Sequence, residues 1–104
     1  MTILYVINAK DNLNKFYDEI ETKLCDEKLA FGRNLDALHD LLTGDFGKLL
    51  YNKQNKIKTE LLVYNSNLLS SKIKKMFEKA EIESEEYYEP FYTHSYKWLT
   101  ITLK

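Results

Sequence analysis

Asp36 and Asp40 stand four residues apart, with His39 beside the second and Thr43 three positions beyond it. Two carboxylates at that spacing support three kinds of chemistry. They can accept charge-assisted hydrogen bonds from the Lys, Arg or His of a cationic partner, imitating phosphates. They can work as a general acid and base, or they can join a histidine around a metal. The last two fare poorly. His39 with Asp36, Asp40 or His94 does not complete a ligand set. Nothing around the aspartates points to a cleft that would separate their pKa values. The chain has no Gly-rich phosphate loop and no Ser-His-Asp signature. No enzyme activity, metal or cofactor is expected.

The element that must position these residues is a short helix from about Asn34 to Leu42, bounded by Gly32 and Gly44 with Asn34 as cap candidate. At about 100° per residue, with Asp36 as zero, Asp40 lies roughly 40° to one side and Thr43 roughly 20° to the other. Leu35, Leu38 and Leu42 cluster near 200–260°. Both aspartates therefore face away from the leucines, and His39 borders their stripe. Asp36 suits the helix dipole, whereas Asp40 near the C-terminus does not, and like charges at i,i+4 repel. A helix that accepts such penalties on its exposed side is a candidate binding face; solvated surface aspartates are the plainer reading.

The stretch Phe31-Gly32-Arg33-Asn34-Leu35-Asp36-Ala37-Leu38-His39-Asp40-Leu41-Leu42-Thr43-Gly44 resembles the signature of the barstar family. There an aromatic-Gly-x-Asn-Leu-Asp-Ala-Leu run opens the second helix, and an acid with Leu-Thr-Gly closes it. The resemblance implies a three-stranded parallel sheet packed with three or four helices, in a cytoplasmic inhibitor that protects its producer from a secreted ribonuclease. It implies that the second helix and the loop before it, including Phe31 and Gly32, plug the enzyme's active site. By position Asp36 and Asp40 are the anchors, Asn34, Thr43 and Gly44 line the contact, and Asp45 extends it. His39 stands where close relatives of the type protein carry tryptophan. Asp45 replaces a second tryptophan and Ala30 a tyrosine. A further acid from the third helix matches Glu78 by proximity to Phe77, with Lys79 as the competing equivalent.

The rest of the chain fits that frame. Its 104 residues, 44% hydrophobic and 13% aromatic, suffice for one domain with a single core. Ile3–Ile7 and Leu61–Tyr64 read as buried strands, and Trp98–Leu103 as a strand with one polar side. Behind Asp11 or Asn12 as cap, Leu13, Phe16, Tyr17, Ile20 and Leu24 trace one helix; Leu69, Ile73, Met76, Phe77 and Ala80 trace another. The order β-α-α-β-α-β points to an α/β fold with a parallel sheet and right-handed crossovers. Segments 46–59 and 83–96 carry no assignable pattern. The second sets Glu83, Glu85, Glu86 and Glu89 among Tyr87, Tyr88, Phe91 and Tyr92, an acidic aromatic surface that is an alternative contact for a non-nuclease partner.

Composition narrows the remaining classes. With 15 basic and 16 acidic residues the formal charge is -1, and the lysines at 53, 56, 58 and at 72, 74, 75 read as solvated faces, so no nucleic-acid partner is expected. The single cysteine, Cys25, reads as a packed thiol, excludes an internal disulfide and fits a reducing cytoplasm. No apolar run nears membrane-spanning length, and the opening lacks a signal-peptide pattern. The free chain is expected to be a monomer whose partner is a basic extracellular-type ribonuclease or related toxin.

Overall fold

The structure is a computed structural model. It describes residues 2–25, 31–88 and 94–104, with the side chains of 86–88, 94 and 95 excepted. The element order is β1 (Thr2–Asn8), α1 (Leu13–Leu24), α2 (Leu35–Leu42), α3 (Gly47–Gln54), β2 (Lys58–Tyr64), a 3-10 turn (Ser66–Leu68), α4 (Ser71–Glu83), β3 (Glu85–Tyr88), β4 (His94–Lys97) and β5 (Leu99–Leu103). The sheet runs β1-β2-β5 and is parallel throughout, pairing Tyr5 with Leu61 and Leu61 with Ile101. This is the α/β architecture expected, with four α-helices.

Each main helix begins where a side chain can satisfy its first free amides. Asn12, not Asp11, caps α1 by accepting from Lys15 N at 3.1 Å. Asn34 caps α2 through Ala37 N at 2.8 Å. Ser70 caps α4 through Ile73 N, so Leu69 precedes that helix and does not open its stripe. The expected apolar stripes turn inward: Phe16, Tyr17, Ile20 and Leu24 from α1, Leu38, Leu41 and Leu42 from α2, Ile73, Phe77 and Ala80 from α4. They meet Ile7, Leu61, Val63 and Leu99 from one face of the sheet. α1 packs over β1, α3 over β2 and α4 over β5, while α2 rests on α3 and α4.

Two unassigned segments acquire structure. The first holds α3 and the first two residues of β2. Gly47 opens α3 with φ of 73°, and a Cβ there would stand 2.7 Å from Leu24 O and 2.8 Å from Leu41 Cδ1. Only glycine lets α3 approach α1 and α2 so closely. The second holds an antiparallel ribbon, β3 against β4, that forms its own two-stranded sheet. Trp98, between the ribbon and β5, is 2% exposed. A Cβ at Gly44 would meet its ring carbons at 3.2 Å, so the indole underlies the end of α2.

Candidate functional site

The site is the outward face of α2. Burying Leu38, Leu41 and Leu42 fixes the helix's rotation about its axis, and each such side chain is worth about 1.5–3 kcal/mol of burial. With that side down, Asp36 and Asp40 are exposed. Asp36 lies in the first turn and, among the described residues, its carboxylate has no hydrogen bond or ion pair. Among the described residues Asp40, with a side chain 53% exposed, meets only His39 Nδ1 at 3.6 Å, a contact too long and too wet to hold it. Asp45 is exposed too, and its backbone N–H donates to Asp40 O at 2.9 Å.

The flanks are pinned from within. Asn34 spends both ends of its amide locally, accepting from Ala37 N and donating to Gly32 O at 3.2 Å. The Thr43 hydroxyl donates back to His39 O at 2.9 Å. Lys53 Nζ donates to Thr43 O at 3.2 Å. Gly44, at φ of 81°, is buried over Trp98. Gly32 is exposed on the entry loop. Phe31 is not a surface residue: it is 7% exposed and packs edge-on to Tyr17 at 5.4 Å. An apolar ring gains more under the loop than on it. Asn34 and Phe31 therefore shape the loop, while Asp36, Asp40 and Asp45 offer charge to solvent.

Two residues complete the site: one that the sequence assigned to the separate acidic aromatic segment and not to α2, and one that it did not single out. Glu83, the last residue of α4, places Oε2 2.6 Å from His39 Nε2. Glu78, the acid expected from this helix, is not brought to α2. It is exposed, and at about 100° per residue it lies roughly 140° around α4 from Glu83. Glu83 shares the side of α4 that carries Met76 and Lys79, and that spacing of 76, 79 and 83 was the available signal. Arg33 is the other. Its φ is 51°, and its guanidinium turns back onto α1, holding Glu21 through Nε at 3.0 Å and Nη2 at 3.1 Å, Asp18 through Nη2, and Asn14 O at 3.3 Å. Its hydrogen bonds first to Asp18 and then to Glu21 raise its pKa further. The clamp anchors the entry loop and keeps the one nearby arginine off the acidic face. Asp18 and Glu21, three apart on the exposed side of α1, foreshadow it.

A cleft of about 340 Å³ opens beyond the ends of β1 and β2, lined by Phe16, Tyr17, Leu35, Leu69 and Ile73 among others, and not by Asp36 or Asp40. No three His, Cys, Asp or Glu side chains among the described residues are placed to hold a metal; the His94 side chain lies outside them. Cys25 is buried at 7% exposure. The side chains of Tyr87, Tyr88, Phe91 and Tyr92 lie outside the described residues, although the backbone of β3 starts two residues after Glu83, next to the end of α4. No helix among the described residues is long and apolar enough to cross a membrane.

What the arrangement offers is a capped helix, packed through its leucines, with carboxylates held out to solvent. No match to the chain was found among curated proteins or among solved structures. The family model of barstar, the barnase inhibitor, matches residues 4–93. The parallel sheet, the capped second helix and this match together place the chain in the barstar (barnase inhibitor) family.

Proposed function

We propose that the chain is an intracellular inhibitor that blocks a basic ribonuclease, or a ribonuclease-like toxin, by seating α2 over its active site. The observation that carries this reading is the pair Asp36 and Asp40, exposed on the side of α2 opposite its buried leucines and, among the described residues, without a strong side-chain partner of their own. A ribonuclease site gathers Lys, Arg and His around phosphates, and two fixed carboxylates can take the phosphates' places through charge-assisted hydrogen bonds. Glu83 and Asp45 add negative charge at the rim, which speeds encounter with a positive surface and makes it salt-dependent. Asn34, Thr43 and Gly44 act by setting the backbone under the carboxylates, and His39 links the face to α4.

The test is inhibition of a basic secreted ribonuclease made by the same cell, titrated with the wild type and with Asp40→Ala. Loss of inhibition in the variant is the expected result. Equal inhibition by both removes α2 from the contact.

A second reading rests on the ribbon β3–β4, which stands as a separate two-stranded sheet at the end of α4. In that reading the tyrosine-rich segment binds a non-nuclease partner, with the chain as an immunity or regulatory module. Recovery of the same partner after residues 86–95 are replaced by a tight turn would dismiss it.

A further inference from the structure

The two outer strands of the sheet are treated differently. Strand directions follow from the ladder: Ala9 N donates to Tyr64 O, and Thr59 N donates to Trp98 O. Backbone groups alternate sides along a strand. Ile3, Tyr5 and Ile7 therefore bond to β2, and Thr2, Leu4, Val6 and Asn8 point outward. On the far edge, Leu99, Ile101 and Leu103 of β5 point outward. That edge is covered by α4: Ser84 Oγ donates to Leu99 O at 3.1 Å, and Ile101 N donates to Glu81 Oε1 at 2.8 Å. On the outward edge of β1, among the described residues, only Asn8 N is occupied, by Glu19 Oε2 at 2.8 Å. Among the described residues nothing pairs with the outward N–H and C=O of Leu4 and Val6, and the Leu4 side chain is 53% exposed. Apart from Glu19 at the Asn8 end, the strand lacks the usual edge protection, having no lysine, proline or bulge between Thr2 and Asn8.

The sequence Thr2-Ile3-Leu4-Tyr5-Val6-Ile7-Asn8 reads alike in both directions about Tyr5. Polar residues lie at the ends, isoleucines inside them, and an aliphatic residue stands on each side of the tyrosine. We propose that β1 pairs antiparallel with β1 of a second copy of this chain, about a two-fold axis at Tyr5, joining the two sheets into one of six strands. Leu4 of one copy then faces Val6 of the other in a hydrogen-bonded pair. The two side chains lie on the same face of the joined sheet, and the two-fold repeats the pair. Parity agrees with this register: both residues point outward in the free chain, while Tyr5 meets Tyr5 without needing a bond. Two seven-residue strands cover well under the roughly 1,200–2,000 Å² of a stable interface. The dimer is therefore weak, and a dilute sample is the monomer expected from the sequence. α2 rests on α3 and α4, and α1 lies over β1, so the dimer leaves both acidic faces open.

Sedimentation velocity on the full chain, from micromolar to millimolar, tests this together with amide hydrogen exchange. The expected result is a monomer–dimer equilibrium that closes at two, with the Leu4 and Val6 amides slowing as concentration rises. Leu4→Lys, which puts a charge on the edge, and Val6→Pro, which removes an N–H that the β1–β2 ladder does not use, should each stay monomeric. Their folding is checked by circular dichroism. Asp40→Ala should dimerise as the wild type does, which separates this proposal from the inhibitor reading. A wild type that remains monomeric at millimolar concentration overturns it. So does association unchanged in both edge variants, open-ended growth, or exchange at Leu4 and Val6 that ignores concentration; the exchange result stands even if a variant fails to fold.

Discussion

The two aspartates of α2 should respond oppositely when each is replaced by alanine, and the contrast separates a binding role from a structural one. Both replacements gain the same helix propensity, and both relieve the same i,i+4 repulsion of about 0.2–0.5 kcal/mol. Those terms cancel in the difference. What remains is position. Asp36 sits in the first turn, where a carboxylate gains ~0.3–1 kcal/mol from the helix dipole, whereas Asp40 sits two residues before the end, where it loses a similar amount. Against this stands the Asp40 contact with His39 Nδ1 at 3.6 Å, and an exposed pair of that kind contributes ~0–0.5 kcal/mol. Asp40→Ala should therefore be more stable than Asp36→Ala by about 0.5–1.5 kcal/mol. In a domain of this size that is a difference of roughly 2–8 °C in Tm. Urea unfolding at low salt, repeated at high salt where the dipole contribution is screened, reads it directly. Inhibition of the target ribonuclease should fall for both variants, by about 2 kcal/mol or more, which is a loss of ~30-fold. An Asp40→Ala protein that is less stable than Asp36→Ala, yet inhibits as well as wild type, would refute the assignment of Asp40 to a partner.

Three further outcomes follow from the interior. Gly47→Ala must hold a left-handed φ and press a methyl against Leu24 O, so urea denaturation should show a loss of about 2 kcal/mol or more. Arg33→Ala releases the entry loop from α1; amide exchange at Asn34 and Leu35 should accelerate, while amides in β2 keep their protection. Burial raises the pKa of Tyr17 above the ordinary tyrosine value. Its contribution to stability is then present below about pH 10 and lost as pH climbs through the raised value. Tyr17→Phe should flatten the alkaline limb of a stability-against-pH curve, and an unaltered limb would show that Tyr17 does not set it.

The legible parts of this fold were those with a long period and a recognisable cap. Twelve residues of α1 and thirteen of α4 repeat their apolar positions often enough to declare a helix. α3 could not be read that way. It is eight residues long, buries only Leu49 and Asn52, and its N-cap Phe46 makes no side-chain hydrogen bond. Asn52 is legible as a core residue only after folding brings Tyr5 OH to its amide at 3.2 Å. β2 extends three residues before Leu61 because Thr59, polar in a list, is buried with its hydroxyl returned to Ile57 O. In the candidate site, the outward direction of Asp36 and Asp40 followed from helix geometry alone. The neighbour supplied by α4 did not, since choosing Glu83 over Glu78 requires knowing which side of α4 rests on α2. Phe31 shows the same limit: the motif marks its position, and only the packing of Tyr17 shows that the ring points inward.

The indole beneath Gly44 gives the molecule a built-in optical reporter. Trp98 is the only tryptophan in the chain, it is shielded from water, and it lies against the backbone that closes the acidic helix. Its emission colour and quenching therefore register any displacement of that turn. Occupancy of the face can be followed in solution from the unmodified protein, without attaching a dye to the surface under study.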